Sequence, residues 1–349
     1  MAALLEAHNV KKAFGGGFLK RSSTVALESL SLTIDDAHPA VTVVAGESGS
    51  GKTTLARLLL GMIEPTAGEI RYRGKELRAM NRAERMVFRR EVQAIFQDPF
   101  EVYNPFHKVD RVLTTPVRKF GLASSEAEGQ KLINDALEMV GLRPEDTLGR
   151  YPHQLSGGQR QRIIVARALV LKPRVIIADE PVSMVDASLR ATILESLLTL
   201  TRELGISLVY ITHDLTTAYQ VGDSILVLYK GDVTEVGHVE LVIKEPQHPY
   251  TQLLVDSIPR ADPERRWGEN ALPDAPEERA GADGVGCKFA GRCTRVMPVC
   301  RSQPVAFYRT DPRRAVACFL YQDQPVMRMA EIPQMIVGLE EAARGNSRK

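Results

Sequence analysis

Long apolar runs are missing from this 349-residue chain. Its richest stretches, Ile163–Leu171 and Ser224–Tyr229, are short and interrupted or flanked by polar residues, well below the roughly 20 apolar residues that carry a helix across a bilayer. The chain is therefore not expected to span a membrane itself. Charge of one sign is also lacking: 45 Lys and Arg against 43 Asp and Glu leave +2, which gives no general electrostatic reason to expect nucleic acid as a partner. Met1–Val10 has an early Glu6 and no basic segment leading into an apolar one, so no signal peptide is read and a cytoplasmic location is the default expectation. Cysteine is scarce, with four residues, and no internal repeat or low-complexity tract is visible. What remains, 44% hydrophobic and 25% charged, suits one large core with a smaller appendage.

Strand-like runs alternate with helical ones. Val41–Ala45 is β-rich and apolar, stops at a glycine loop and is followed by helical composition over Thr53–Met62. Val175–Ala178 leads through Asp179-Glu180-Pro181 to a helix around Leu189–Leu204, with Ile193, Leu197 and Leu200 on one face and Gly205 closing it. Ser207–Ile211 is a further strand, and Leu4–Val10 and Ser29–Ile34 read as half-buried antiparallel strands. Continuous hydrophobic strands alternating with helices predict an α/β domain with a largely parallel sheet. Between Pro99 and Leu171 the β-runs give way to helices such as Glu126–Val140, which predicts an inserted helical subdomain. The expected boundaries are 1–258 for the main domain with its helical part at 99–171, a Pro-, Gly- and charge-rich linker at 259–284, and an extension at 285–349 that holds every cysteine.

Three motifs carry chemistry. Gly46-Glu47-Ser48-Gly49-Ser50-Gly51-Lys52-Thr53 fits the P-loop pattern between a strand and a helix, and Thr54 follows it. In such a loop backbone N–H groups and the helix N-terminus surround phosphates, Lys52 reaches the β- and γ-phosphates, and Thr53 ligates Mg²⁺. A chance match in a chain this long arises on the order of once in a hundred. At the end of the second strand Asp179 can hold Mg²⁺ through water, and Glu180 is placed to orient or deprotonate an attacking water. An apolar run ending in Asp-Glu is often only a strand reaching solvent, but downstream of a P-loop it reads as a Walker B strand. Ser156-Gly157-Gly158-Gln159, after Leu155, opens a helix and offers a second N-terminal anion cradle.

Leu-Ser-Gly-Gly-Gln between a P-loop and a Walker B strand resembles the signature of ABC ATPases. The same family series is matched in order by Gln97 in Ile95-Phe96-Gln97-Asp98-Pro99, by Ser183-Met184-Val185-Asp186 and by Thr212-His213-Asp214. The resemblance implies a P-loop NTPase of the ABC nucleotide-binding type, with an antiparallel β subdomain, an inserted helical subdomain and a small cysteine-containing C-terminal extension. It implies two such domains packed head to tail, with ATP on Gly49, Gly51, Lys52 and Thr53 of one subunit capped by the partner's equivalents of Ser156 and Gly158. Gln97 would touch Mg²⁺, His213 the γ-phosphate, and Phe14, ahead of Gly15-Gly16-Gly17, would stack on adenine. Lys52, Asp179, Glu180 and His213 are all present, so a hydrolytically competent site is expected. Val185 replaces the family's usual Leu, an exchange of similar volume.

Gln97-Asp98-Pro99 followed by Asn104-Pro105, then His248-Pro249-Tyr250, then the cysteine segment, resemble the ATPases of oligopeptide and dipeptide importers over nearly the whole chain, failing mainly in Ile332–Lys349. The cysteines, Cys287, Cys293, Cys300 and Cys318, are separated by five, six and seventeen residues. Disulfides are improbable in a cytosolic protein, and this is not the paired spacing of a zinc ribbon, so chemistry alone leaves an iron–sulfur cluster, zinc and unliganded thiols open. Resemblance to importer subunits with a 4Fe-4S cluster on C-terminal cysteines makes that the expectation, in a structural or regulatory role, with nothing in the sequence placing it near the ATP site. The family further implies a second ATPase subunit, expected to be a paralogue, two membrane permease subunits and an extracytoplasmic solute-binding protein, without nucleic acid. Peptides are the expected cargo. Nickel, opines or oligosaccharides are carried by importers with similar ATPases. A soluble ABC ATPase on nucleic acid or ribosomes is disfavoured, because no second cassette, long coiled coil or inserted zinc module is visible.

Overall fold

A computed structural model describes residues 3–15, 24–97, 102–183, 185–258 and 285–337. Gly16, Gly17, Asp98, Pro99, Met184, the linker 259–284 and residues 338–349 lie outside the described residues. The chain begins with strands β1 (Ala3–Phe14), β2 (Thr24–Asp35) and β3 (Val41–Ala45), helix α1 (Lys52–Leu59), and strands β4 (Ala67–Tyr72) and β5 (Lys75–Glu76). There follow α2 (Arg82–Glu91), β6 (Val92–Ile95), α3 (Asp110–Lys119), α4 (Glu126–Met139), α5 (Pro144–Thr147), α6 (Gly157–Val170), β7 (Val175–Asp179), α7 (Ala187–Arg202) and β8 (Ser207–Thr212). The last part holds α8 (Leu215–Val221), β9 (Ser224–Tyr229), β10 (Asp232–His238), α9 (Val239–Lys244), α10 (Pro249–Asp256), α11 (Val299–Ser302), β11 (Phe307–Asp311), β12 (Arg314–Val316), β13 (Val326–Met327) and α12 (Ile332–Val337).

These elements form two compact units, Asp36–Val41 with Lys75–Ile211, and Ala2–Asp35 with Thr42–Gly74 and Thr212–Lys349. In the first unit β6, β7 and β8 are parallel neighbours, Ala94 opposite Ile177 and Ile177 opposite Val209. Every residue of β7 and of β8 is buried, which is why both read as continuous apolar runs rather than alternating ones. Between residues 102 and 171 the described residues hold helices only, and α3, α4 and α6 pack on one another. The predicted face of α7 is inside, with Ile193, Leu197 and Leu200 buried.

Helix ends follow local chemistry. Ser125 caps α4 by accepting the N–H of Glu128 at 3.2 Å. At its other end Gly141, at φ 68°, lets the N–H of Leu142 reach the carbonyl of Leu137 at 2.9 Å, a Schellman stop. The same device shortens α1 relative to the expected Thr53–Met62. Gly61, at φ 63°, turns the chain, and the N–H of Met62 bonds the carbonyl of Arg57 at 2.9 Å.

The second unit contains an antiparallel sheet around β1, which pairs with β2 and β4. Its other sheet runs through β3, β9, β10, β12, β11 and β13. Thr42–Ala45 of β3 lie parallel to Ser224–Val227 of β9. Strands β9 and β10 form a hairpin whose two turn residues, Lys230 and Gly231, have φ of 44° and 85°, the primed geometry that matches strand twist. The C-terminal segment does not stand apart: β12 pairs with β10, Glu235 opposite Val316, and adds β11 and β13. Helix α12 packs on β2 and β10 with Ile332, Met335 and Ile336 buried.

Candidate functional site

In the second unit the loop after β3 is shaped by its glycines. At Gly46, φ 152°, a Cβ would stand 2.2 Å from the carbonyl oxygen of Leu228 in β9. At Gly51, φ 108°, it would stand 2.4 Å from the oxygen of Ala26 in β2. Neighbouring backbones therefore forbid side chains at both ends of the loop, whereas at Gly49, φ 79°, a Cβ would meet nothing within 4 Å. Lys52 is buried, and its Nζ donates to the carbonyls of Gly46 at 2.7 Å and Glu47 at 2.9 Å. Ser50 N–H bonds Glu47 O at 3.1 Å, and Gly231 N–H bonds Ser50 O at 2.9 Å, tying the loop to the β9–β10 hairpin. The hydroxyl of Ser50 is buried and finds no hydrogen-bond partner among the described residues. Helix α1 starts at Gly51 without a side-chain cap, so its N-terminal dipole is available to an anion. Ser48, Gly49 and Thr53 are exposed and Thr54 is half-buried.

Phe14, in the same unit, is 45% exposed with Lys12 Nζ 5.1 Å from its ring centroid. It is an open ring and no part of the core. His213 is exposed ahead of α8, whose N-terminus is capped by Asp214 Oδ1 accepting from Thr216 N–H at 2.8 Å.

The first unit holds the other predicted residues. Asp179, the last residue of β7, is buried. Glu180 has φ 49°, a left-handed conformation that costs a non-glycine residue roughly 1–2 kcal/mol and is concentrated at functional sites. It is held there by its own N–H on Ile211 O at 2.9 Å and by its carbonyl, which accepts from Ser183 N at 3.2 Å and Ser183 Oγ at 2.9 Å. Ser156 and Gln159 form a reciprocal cap on α6, with bonds of 3.2 and 2.9 Å. Gly157 is exposed and Gly158 buried, and Tyr103 Oη steadies the helix by donating to Arg160 O at 2.7 Å. Gln97 is exposed just beyond β6, and Asp186 is exposed at the start of α7 without a side-chain cap bond.

Cys287, Cys293, Cys300 and Cys318 line one pocket of the second unit, together with His248, Phe289 and Phe319. Burial pushes the Cys287 and Cys318 thiols up to about 11, and the neighbouring thiols add to this. Burial also raises Cys293. The iron–sulfur expectation gains no support here: among the described residues no group of three or more His, Cys, Asp or Glu is disposed to hold a metal ion.

Nothing in the sequence places the cysteine segment near the ATP site, but the structure joins it to the nucleotide loop. Arg292, next to Cys293, forms a two-bonded fork with the carboxylate of Glu47 in the loop, at 2.9 and 3.0 Å. Tyr250 Oη accepts the Glu47 N–H at 2.8 Å. The motif His248-Pro249-Tyr250 was visible in the sequence, but Glu47 and Arg292 stand 245 positions apart and no local pattern joins them.

The chain matches the family model described as ABC transporter over residues 27–183, and the model for the oligopeptide/dipeptide transporter C-terminal region over residues 234–300. It is 38% identical to the dipeptide transport ATP-binding protein DppF of Haemophilus influenzae, covering 90% of this chain and 96% of that one. It is 37% identical to YkfD of Bacillus subtilis over 92% of this chain and 96% of that one. Among solved structures it resembles the ATP-binding cassette MJ0796 in a dimeric post-hydrolysis state with ADP and Pi, at TM-score 0.59 and 29% identity, over 68% of this chain and 99% of that one. It also resembles cbiO1 of Clostridium perfringens, part of the ABC transporter complex cbiONQ, at TM-score 0.60 and 27% identity, over 70% and 92%. With relatives 37–38% identical over at least nine-tenths of its length and a P-loop shaped by its own backbone contacts, the chain belongs to the ABC transporter ATPases, in their oligopeptide/dipeptide branch.

Proposed function

We propose that this chain is the ATP-binding and ATP-hydrolysing subunit of an ABC importer, energising uptake of oligopeptides or dipeptides through separate permease subunits. The observation that carries the reading is the match to the oligopeptide/dipeptide C-terminal region over residues 234–300, because cassettes alone do not distinguish cargo. The partners are two permeases, a solute-binding protein reached through them, and a second ATPase that is a paralogue. No helix among the described residues is long and apolar enough to cross a membrane, which suits a subunit seated on the cytoplasmic face.

The residues divide the work as follows. Phe14 stacks on adenine, and the amides of Gly46, Ser48, Gly49, Ser50 and Gly51, with Lys52 and Thr54, hold the phosphates. Thr53, Gln97 and Asp179 would hold Mg²⁺, which would supply neutralisation of the phosphate charge. Glu180 orients the attacking water and takes its proton as the water oxygen bonds the γ-phosphorus and the bond to ADP breaks. His213 steadies the γ-phosphate, while Ser156, Gly157, Gly158, Gln159 and Asp186 serve the site shared with the second subunit.

The thiol pocket is read as a 4Fe-4S site. Four thiols lining one pocket supply the donor set such a cluster takes. Cys287, Cys293, Cys300 and Cys318 would hold it in a structural or regulatory role.

The test compares ATP turnover of wild type and Glu180→Gln, purified without oxygen, with ATP binding, absorbance and iron measured on the same samples. Turnover lost by about 100-fold or more in the variant, with ATP binding retained, supports the reading. A variant that turns over like wild type would sink the role of Glu180, and a sample without iron would remove the cluster and leave the ATPase.

A further inference from the structure

Glu47 is the one acidic residue of the P-loop, and all its polar groups are engaged. Its carbonyl accepts from Lys52 Nζ at 2.9 Å and from Ser50 N–H at 3.1 Å, inside the loop. Its other groups are gripped from outside: the N–H by Tyr250 Oη at 2.8 Å, and the two carboxylate oxygens by Arg292 at 2.9 and 3.0 Å. A planar guanidinium bound to both oxygens fixes the orientation of a carboxylate, which a single point charge does not.

Arg292 is itself held. Its guanidinium lies 5.8 Å from the Tyr229 ring centroid and 5.7 Å from that of Phe289, distances at which cation–π attraction operates. Phe289 in turn packs edge-on to Tyr229 at 5.3 Å and tilted to Tyr250 at 5.5 Å. A second grip comes from Lys288, whose Nζ donates to Lys230 O at 2.9 Å and Asp232 Oδ1 at 3.1 Å. These residues flank Gly231, whose N–H bonds Ser50 O in the loop. Residues 288–292 thus hold Glu47 directly, through Arg292, and bear on Ser50 only through the β9–β10 hairpin, the two lying either side of the loop's exposed Gly49.

We propose that Arg292 is a positioning residue of the nucleotide site: through Glu47 it holds the P-loop in the shape that receives phosphate, so the C-terminal segment contributes to ATP affinity without touching ATP. The inference rests on the functional reading above. It assigns Arg292 no part in bond making. Its removal acts on binding and leaves the chemical step alone.

The test measures the dissociation constant of a fluorescent ATP analogue, and KM and kcat for ATP, in the full chain as wild type, Glu47→Gln, Arg292→Ala, Arg292→Lys and the double variant Glu47→Gln/Arg292→Ala. The pair is about one-third exposed, so solvent screening limits each single variant to a loss of about fivefold in affinity, with kcat within about twofold of wild type. The double variant is expected to lose no more than either single one, because both remove the same interaction. Arg292→Lys, which keeps the charge and loses the fork, is expected to fall between wild type and Arg292→Ala. Glu47→Gln leaves Arg292 stacked on its rings, so it reads the ion pair even if Arg292→Ala fails to fold. Unchanged affinity in Glu47→Gln, or losses that multiply in the double variant, would overturn the proposal. A wild type that binds no ATP would overturn the functional reading with it, whereas a wild type that binds as its variants do overturns this inference alone.

Discussion

The carboxylate of Glu235, fully buried in β10, accepts the backbone N–H of His248 at 2.9 Å, at the N-terminus of α10. It also accepts the N–H of Gln247 at 3.1 Å. The His248 ring, also buried, caps the same helix by accepting the Tyr250 N–H at 3.0 Å through Nδ1. Burial pushes the Glu235 carboxyl up to about 7, against the His248, Thr251, Gln247 and Arg314 groups that favour its charge. Burial pushes His248 down to about 4. Arg314, on β12, spends one guanidinium nitrogen on the carbonyls of Leu241 and Glu245, at 3.3 and 2.7 Å, and Tyr321 Oη donates to Gln247 O at 3.3 Å.

The two shifts act oppositely on stability. For Glu235 the folded state binds the extra proton between about pH 4.5 and 7, so its contribution is complete at low pH and is lost as pH rises through 7. For His248 the unfolded state binds the extra proton between about pH 4 and 6.5, so its contribution is lost as pH falls through that window. Each is worth on the order of 3 kcal/mol, and they offset one another between about pH 4.5 and 6.5. Glu235→Gln mimics the protonated acid. It is expected to be more stable than wild type at pH 8, to converge with it near pH 4.5, and to expose the acid lability that His248 confers. Denaturant unfolding across pH reads this, and a variant less stable than wild type at pH 8 would count against it.

The P-loop glycines should separate folding from binding. Gly51→Ala forces a Cβ to within 2.4 Å of Ala26 O, so β2 or the loop must shift, and a stability loss of a few kcal/mol is expected. Gly49→Ala meets nothing within 4 Å and carries only the left-handed cost of roughly 1–2 kcal/mol. It stands on the exposed side where the phosphates are proposed to lie. Thermal unfolding should therefore show Gly51→Ala as the less stable, while an ATP-binding assay should show Gly49→Ala as folded and weakened. Equal stability losses would mean that the loop is more pliable than its contacts imply.

Where a signal is local the sequence is easily read. The buried run Val175–Ala178 ends one residue short of the observed strand, and Ile193, Leu197 and Leu200 do share the inner face of α7. The end of α1 was missed by composition because Gly61 acts through its conformation, while Met62 has ordinary helical propensity. Strands β11, β12 and β13 carry no alternation long enough to be noticed. They are strands because β10 offers β12 an edge, and strand preference depends on such context. The same holds for Arg292, whose partner in the P-loop becomes apparent only once β9, α10 and the cysteine segment are folded together.

Ser50 gives the sharpest test of the loop as a phosphate site. Its hydroxyl is buried without a partner among the described residues, and leaving such a group unpaired costs about 1–3 kcal/mol. Ser50→Ala removes the unpaired atom and only one small group, so the nucleotide-free variant is expected to be at least as stable as wild type. If the hydroxyl is kept for a phosphate oxygen, the variant loses one bond to a charged acceptor, worth about 1.5–3 kcal/mol, or roughly tenfold or more in affinity. Thermal unfolding with and without Mg-ADP, which avoids turnover, separates the two effects: a raised or equal melting point without nucleotide, and a smaller rise on adding it. A variant that melts lower without nucleotide and responds to Mg-ADP as wild type does would assign the Ser50 hydroxyl to holding the loop, and the phosphate contact to its backbone alone.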